Sequence, residues 1–215
     1  MTGPDAPTPG APVRPRGLDH LVERTRGRQP WRRVFHAAAG LSIAAVLTFL
    51  APTRTVAAAI AGAVLALQLT LDVARLRFPA LNEVFFRTFQ HLVSPREARG
   101  IASSTWYTLG VLLAVAIFPM DAAVSGILVM ALADPAASYL GRRYGRTPLF
   151  GGTVEGTLVF GVVCLAILAW RHPTVPALVA AAVLPFVERH SWPIDDNLTV
   201  PVATATLVTL LGGLT

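Results

Sequence analysis

Seven apolar runs, almost free of charged residues, dominate the chain. They lie at about 37–53, 55–74, 104–119, 121–140, 154–170, 173–187 and 198–214. One such run is compatible with a buried core helix of a soluble domain; seven in succession exceed what a soluble core requires. The expected fold class is therefore all-α: a polytopic integral membrane helix bundle with about seven transmembrane helices. Several runs hold only about 15–17 residues, roughly 23–26 Å of helix. That falls short of the ~30 Å hydrocarbon core, so flanking Arg side chains are expected to snorkel or the bilayer to thin locally. Small residues recur inside the runs, as at Ala57–Ala59, Ala61–Ala63 (with Gly62) and Ala180–Ala182. They allow helices to approach closely where lipid supplies no hydrophobic drive for association.

Composition agrees and narrows the chemistry. Only 14% of the residues are charged, against 53% hydrophobic, where a soluble domain carries about 25% charged residues. All 18 basic residues are Arg, so a P-loop lysine or a Schiff-base lysine is excluded. The single cysteine, Cys164, lies in an apolar run, which excludes an internal disulfide and a cysteine zinc site. Residues 1–30 contain Pro4, Pro7, Pro9, Pro12, Pro15 and Pro30 among small and charged residues. Such a stretch buries too little apolar surface to offset chain entropy and is expected to be a disordered arm. Residues 31–215 form the transmembrane domain.

The basic pI of about 10.9 acquires its meaning from where the Arg residues fall. With a cytoplasmic N-terminus, segments 1–36, 75–103, 141–153 and 188–197 face the cytoplasm and hold all the Arg residues except Arg54 and Arg171. That asymmetry is the positive-inside pattern. The surplus is a topology signal and an attraction to anionic lipid, not a footprint for nucleic acid. Trp31, Trp106, Trp170 and Trp192 lie near the ends of the runs, as interfacial anchors do.

Acidic residues near apolar spans carry the most information, because a charge at the bilayer centre costs about 2.5–3.5 kcal/mol even on insertion scales. Asp134 lies within the fourth run, Glu155 opens the fifth, Asp195 and Asp196 precede the seventh, and Asp72 ends the second. All fall toward the inferred cytoplasmic face, as a cytoplasm-facing active site requires. Asp134, Ser138 and Gly141 are spaced i, i+4, i+7 on one helix face. The helix is expected to break at Gly141 and Gly145 into a loop bearing Arg142, Arg143 and Arg146. Gly151-Gly152-Thr153 then leads into the fifth run, with Thr153 suited to an N-cap and Glu155 to the first turn. The stretch offers a carboxylate for Mg²⁺, guanidinium groups for phosphate oxygens and a helix N-terminus for an anion.

This stretch resembles the signature of the CTP-dependent lipid-alcohol kinases, the family of dolichol kinase, phytol kinase and the yeast-type diacylglycerol kinase. Their pattern reads G-D-x-x-A-x-x-x-G-[RK]-[RK]-[FY]-G-[RK], then K-[ST]-x-E-G-[ST]. Asp134, Ala137, Gly141, Arg142, Arg143, Tyr144, Gly145 and Arg146 match the first half; Thr153, Glu155, Gly156 and Thr157 match the second. Asp196-Asn197-Leu198-Thr199-Val200-Pro201 matches D-N-[LF]-x-[VI]-P, and Arg32, Arg33 and His36 match R-[RK]-x-x-H. Ala133 stands where Gly precedes the Asp, and Gly152 stands where the pattern has Lys. Arg146 or Arg142 is the expected substitute for that missing cation.

The resemblance implies Mg-dependent phosphoryl transfer from CTP (or ATP) to the hydroxyl of a membrane lipid alcohol: polyprenol or dolichol, a phytol-like prenol, or diacylglycerol. It implies Mg²⁺ on Asp134 and Asp196, and phosphates on Arg142, Arg143, Arg146 and the loop Gly151, Gly152, Thr153 and Gly156. Glu155 or Asp196 takes the hydroxyl proton, and Ser138, Asn197, Arg32 and His36 support the site. The active site is expected on the cytoplasmic face of the cell membrane. Two other readings stand beside it. Phosphatidate cytidylyltransferases share a similar stretch, but their C-terminal K-D-x-G…P-G-H-G-G…D-R-x-D signature has no counterpart here. A membrane transporter or scaffold is the non-enzymatic alternative; against a transporter, the acids gather at one face rather than at the midplane.

Overall fold

The computed structural model describes residues 17–25, 27, 29–191 and 193–213. Most of the arm expected over residues 1–30, including Arg14, Arg16, Arg26 and Arg28, lies outside these residues, as does Trp192. Part of that stretch is helical: α1, Leu18–Arg24, packs on the later helix Pro79–Thr88.

Helices cover all seven apolar runs. They are α2 (Pro30–Ala45, continued by a π-helical turn Val46–Leu50), α3 (Arg54–Arg77), α5 (Ser103–Ile117), α6 (Met120–Tyr144), α7 (Val154–Arg171), α8 (Thr174–Arg189) and α9 (Asp196–Gly212). The amphipathic α4, Pro79–Thr88, lies between α3 and α5. Pro30–Leu50, Arg54–Arg77, Met120–Tyr144 and Val154–Arg171 are long and apolar enough to cross a membrane. At 15, 16 and 17 residues, α5, α8 and α9 span only roughly 23–26 Å. Large apolar side chains such as Ile60, Leu67, Leu71 and Val73 point away from the protein along α3, an arrangement suited to lipid and unfavourable in water.

The central helix is α6, which packs against α2, α5, α7 and α9. Its Ala122, Ala123, Ile127, Val129, Met130 and Ala133 are buried. Small residues allow this crowding: a Cβ at Gly126 would overlap the Pro201 carbonyl of α9. The remaining helices pack in an open series, α7 on α8, α8 on α9, α9 on α5 and α5 on α3.

The helix boundaries differ from the sequence expectation in two places. Gly141 does not break α6, which continues to Tyr144 and ends at Gly145. The loop beyond is a small hairpin in an otherwise helical protein, β1 (Pro148–Leu149) paired antiparallel with β2 (Gly152–Thr153). Phe150 and Gly151 join the two strands with φ of +42° and +75°, the positive φ pair that a tight two-residue hairpin turn demands.

A buried ion pair fixes the segment that approaches the site from the side. Asp72 and Arg75 on α3 lie 2.6 Å apart and are almost wholly buried. Arg75 also donates to Asn82 Oδ1 (3.1 Å) and to the carbonyls of Glu97 (2.7 Å) and Gly100 (2.8 Å). Asp72 accepts from the Ala102 amide (3.0 Å) and the Thr105 hydroxyl (2.7 Å). Every polar group of the pair is thus bound to backbone or side chain, and the 97–105 segment cannot leave α3 without exposing a charge to an apolar interior. Removing one partner leaves the other unpaired. Asp72→Ala is therefore expected to cost about 3–5 kcal/mol, measured as an earlier thermal unfolding transition of the detergent-solubilised protein.

Candidate active site

Two helix ends meet α6, and each of the three helices brings a carboxylate. Asp134 comes from the middle third of α6, Glu188 from the last turn of α8 and Asp196 from the first turn of α9. Their carboxylate oxygens lie within 4.8 Å of one another and are half-buried. Carboxylates this close repel strongly unless a cation or protons lie between them. Three hard oxygen donors at such spacing match what Mg²⁺ or another divalent cation requires.

Asp134 and Asp196 open onto a cleft of about 170 Å³ that is also lined by basic residues, Arg32, Arg33 and His36 of α2, Arg96 and Arg142. The α6 spacing read from the sequence has a clear geometric result here. One turn beyond Asp134, the Ser138 hydroxyl accepts from both Arg142 and Arg33, the latter at 3.3 Å. Arg32 donates to Ser103 (2.6 Å) and lies 3.6 Å from Glu97. Glu97 is held in turn by the Ser94 amide and hydroxyl and by Ser103. Asn197 joins the cleft, donating to both Asp195 and Asp196, while its Oδ1 is buried with no partner among the described residues. Asp195 caps α9, accepting from the Asn197 amide at 3.1 Å, so the two adjacent aspartates divide into a structural and a cleft residue.

The remaining sequence-derived residues form the neighbouring loop and not the cleft wall. Thr153 is the N-cap of α7, accepting from the Gly156 amide at 3.1 Å. Gly156 packs against α6 at Ala137 and Gly141. Glu155 is half-buried and accepts from the amides of Arg146 (3.0 Å) and Thr147 (3.4 Å); it binds the hairpin loop to α7. Arg143 is exposed and lies over the Tyr144 ring, 5.4 Å from its centroid. Gly151 sits at the hairpin tip.

Three functional candidates escaped the sequence reading: Arg96 in the cleft, Glu188 and Arg189. Glu188 follows the sixth apolar run directly, the kind of position that singled out Asp72, but no motif flagged it. Arg189 shows itself only in three dimensions. Its guanidinium occupies the volume that a side chain at Gly152 would enter, and its Nε lies 2.8 Å from Glu188. A cation supplied from α8 therefore stands over Gly152 although residue 152 carries none.

Comparison with known proteins adds an independent line. The chain is 28% identical over 163 residues to CTP-dependent diacylglycerol kinase 1 of Schizosaccharomyces pombe, covering 66% of this chain and 75% of that protein. It is 28% identical over 169 residues to the protein of the same name from Eremothecium gossypii, covering 64% of this chain and 53% of that protein. The Saccharomyces cerevisiae counterpart is 23% identical over 167 residues, covering 63% and 57% respectively. The chain thus spans little more than half the length of the latter two. No family model matches it, and no solved structure does. Sequence similarity relates the chain to the CTP-dependent lipid-alcohol kinases, the family that its three motifs resemble.

Proposed function

We propose that this protein transfers the γ-phosphoryl group of CTP to the hydroxyl of a membrane lipid alcohol, giving CDP and the lipid monophosphate. The observation that carries this reading is the junction of a three-carboxylate cluster with an arginine-lined cleft inside a bundle of apolar helices. The bundle is proposed to cross the membrane seven times with its N-terminus in the cytoplasm. The one-sided distribution of Arg supports that orientation and a cleft on the cytoplasmic side.

Phosphoryl transfer needs little covalent help and depends on positioning and charge neutralisation. Asp134, Glu188 and Asp196 would hold Mg²⁺, which when bound neutralises charge on the triphosphate. Arg32, Arg33, Arg96 and Arg142 line the same cleft and are suited to grip phosphate oxygens. Ser138 keeps two of these guanidinium groups in register. Arg189 adds a cation above the hairpin, beside the N-terminus of α7. Asp196 is the proposed acceptor of the hydroxyl proton; Glu155, bound to loop amides outside the cleft, is assigned to holding that loop.

The direct test incubates the purified protein with Mg²⁺ and γ-labelled CTP or ATP, offering diacylglycerol, phytol or polyprenol. Label is expected in the lipid, with CTP preferred. Pyrophosphate release with CMP retained in the lipid overturns the kinase reading in favour of a cytidylyltransferase. Asp134→Asn is expected to reduce turnover about a hundredfold or more while leaving the protein folded. Glu188→Gln should weaken Mn²⁺ binding about tenfold or more by titration, whereas Glu155→Gln should leave it unchanged. Arg189→Ala is expected to raise the KM for CTP about tenfold. Adding Gly152→Lys to that variant should recover part of the loss, because the space above residue 152 is then free to take a lysine.

A further inference from the structure

A second cavity, of about 430 Å³, lies beside the carboxylate cleft between α2, α3, α4 and α5 and shares Arg32 and His36 with it. The two spaces therefore meet at these two side chains. The walls are mainly apolar, and Phe35, Val64 and Phe89 remain exposed at its edge. α2 packs on α6 and α3 packs on α5, while α2 does not pack closely on α3 or α5. This leaves the cavity open toward the face where lipid lies.

Three polar atoms interrupt the apolar lining. His36 Nε2, Gln68 Oε1 and the Tyr107 hydroxyl are buried and have no hydrogen-bond partner among the described residues. Buried polar groups are ordinarily paired, and leaving them unpaired is unfavourable. They are also ordered along the cavity: the His36 ring lies against that of Tyr107, 4.9 Å between centroids, with His36 at the cleft and Gln68 on the facing helix α3. An occupant must match a polar end at the cleft, further hydrogen-bonding atoms a short way in, and hydrocarbon beyond.

We propose that this cavity holds the acceptor lipid and that its occupant is diacylglycerol. The free hydroxyl faces the carboxylates past His36 and Arg32. An ester carbonyl accepts from the Tyr107 hydroxyl, and the acyl chains leave between α2 and α3 into the bilayer. A plain isoprenoid alcohol has a hydroxyl but no ester carbonyl, so it leaves the Tyr107 hydroxyl unpaired. The assignment of this lipid as the acceptor rests on the kinase reading above; its place in the cavity does not.

Two measurements separate them. In steady-state assays, Tyr107→Phe should raise the KM for diacylglycerol at least about fivefold more than the KM for phytol. An equal change for both lipids, or none, overturns the assignment. In phosphatidylcholine vesicles without nucleotide, a diacylglycerol carrying a photoreactive group on one acyl chain should label α2 and α5 of the full-length protein. Excess unlabelled diacylglycerol should compete, phytol should compete at least about fivefold less well, and Ala39→Trp, which fills the cavity, should abolish the label. Labelling elsewhere, or labelling unaffected by Ala39→Trp, overturns the proposal even in an active kinase. Labelling as expected in a protein without kinase activity supports the cavity and removes the kinase reading alone.

Discussion

Three carboxylates held within 4.8 Å of one another are the constraint around which this end of the protein is organised. Uncompensated, they would repel one another in an environment that solvates charge poorly. The helices bring the compensation with them. Arg32 and Arg33 come from α2, Arg142 from α6 and Arg189 from α8, and the cluster offers the donors that a divalent cation needs. Close approach of α6 to α9 is what brings Asp134 near Asp196, and it depends on a glycine at 126, where any side chain would strike Pro201. A packing detail within the bundle thus bears directly on the chemistry at its end.

The buried Asp72–Arg75 pair extends this order to the lateral wall. It binds the carbonyls of Glu97 and Gly100 and the amide of Ala102. Glu97 in turn meets Arg32 and Ser103. A chain of polar contacts therefore runs from the end of α3 to a cleft residue without passing through the cluster itself. Arg32 and His36 stand where the polar cleft joins the apolar cavity. In the proposed reaction, that boundary is where a phosphate donor from water and a hydroxyl from lipid meet.

Much of this was legible in the chain. The apolar runs located all seven principal helices to within a few residues, because helix formation in an apolar medium follows from local composition. The i, i+4 spacing of Asp134 and Ser138 placed both on the cleft side of α6, and the Thr153 cap of α7 followed from the residue type that satisfies free amides at a helix start. Gly141 misled, since glycine is tolerated within a packed helix when a neighbour needs the space; here Thr153 and Gly156 press against it. The hairpin was not visible either, as two-residue strands leave no alternation to read.

By itself, the sequence determined the apolar spans, the crowding of Arg in alternate segments between them and the motifs around Asp134 and Asp196, all of which depend on residues near one another in the chain. Only the tertiary structure decided that Glu188 completes the cluster, that Glu155 binds the hairpin loop, and that Arg189 covers Gly152. Those facts depend on how α6, α7, α8 and α9 pack, which sets distances between side chains many residues apart. Local pattern fixes which face a residue occupies, and packing alone fixes what that face meets.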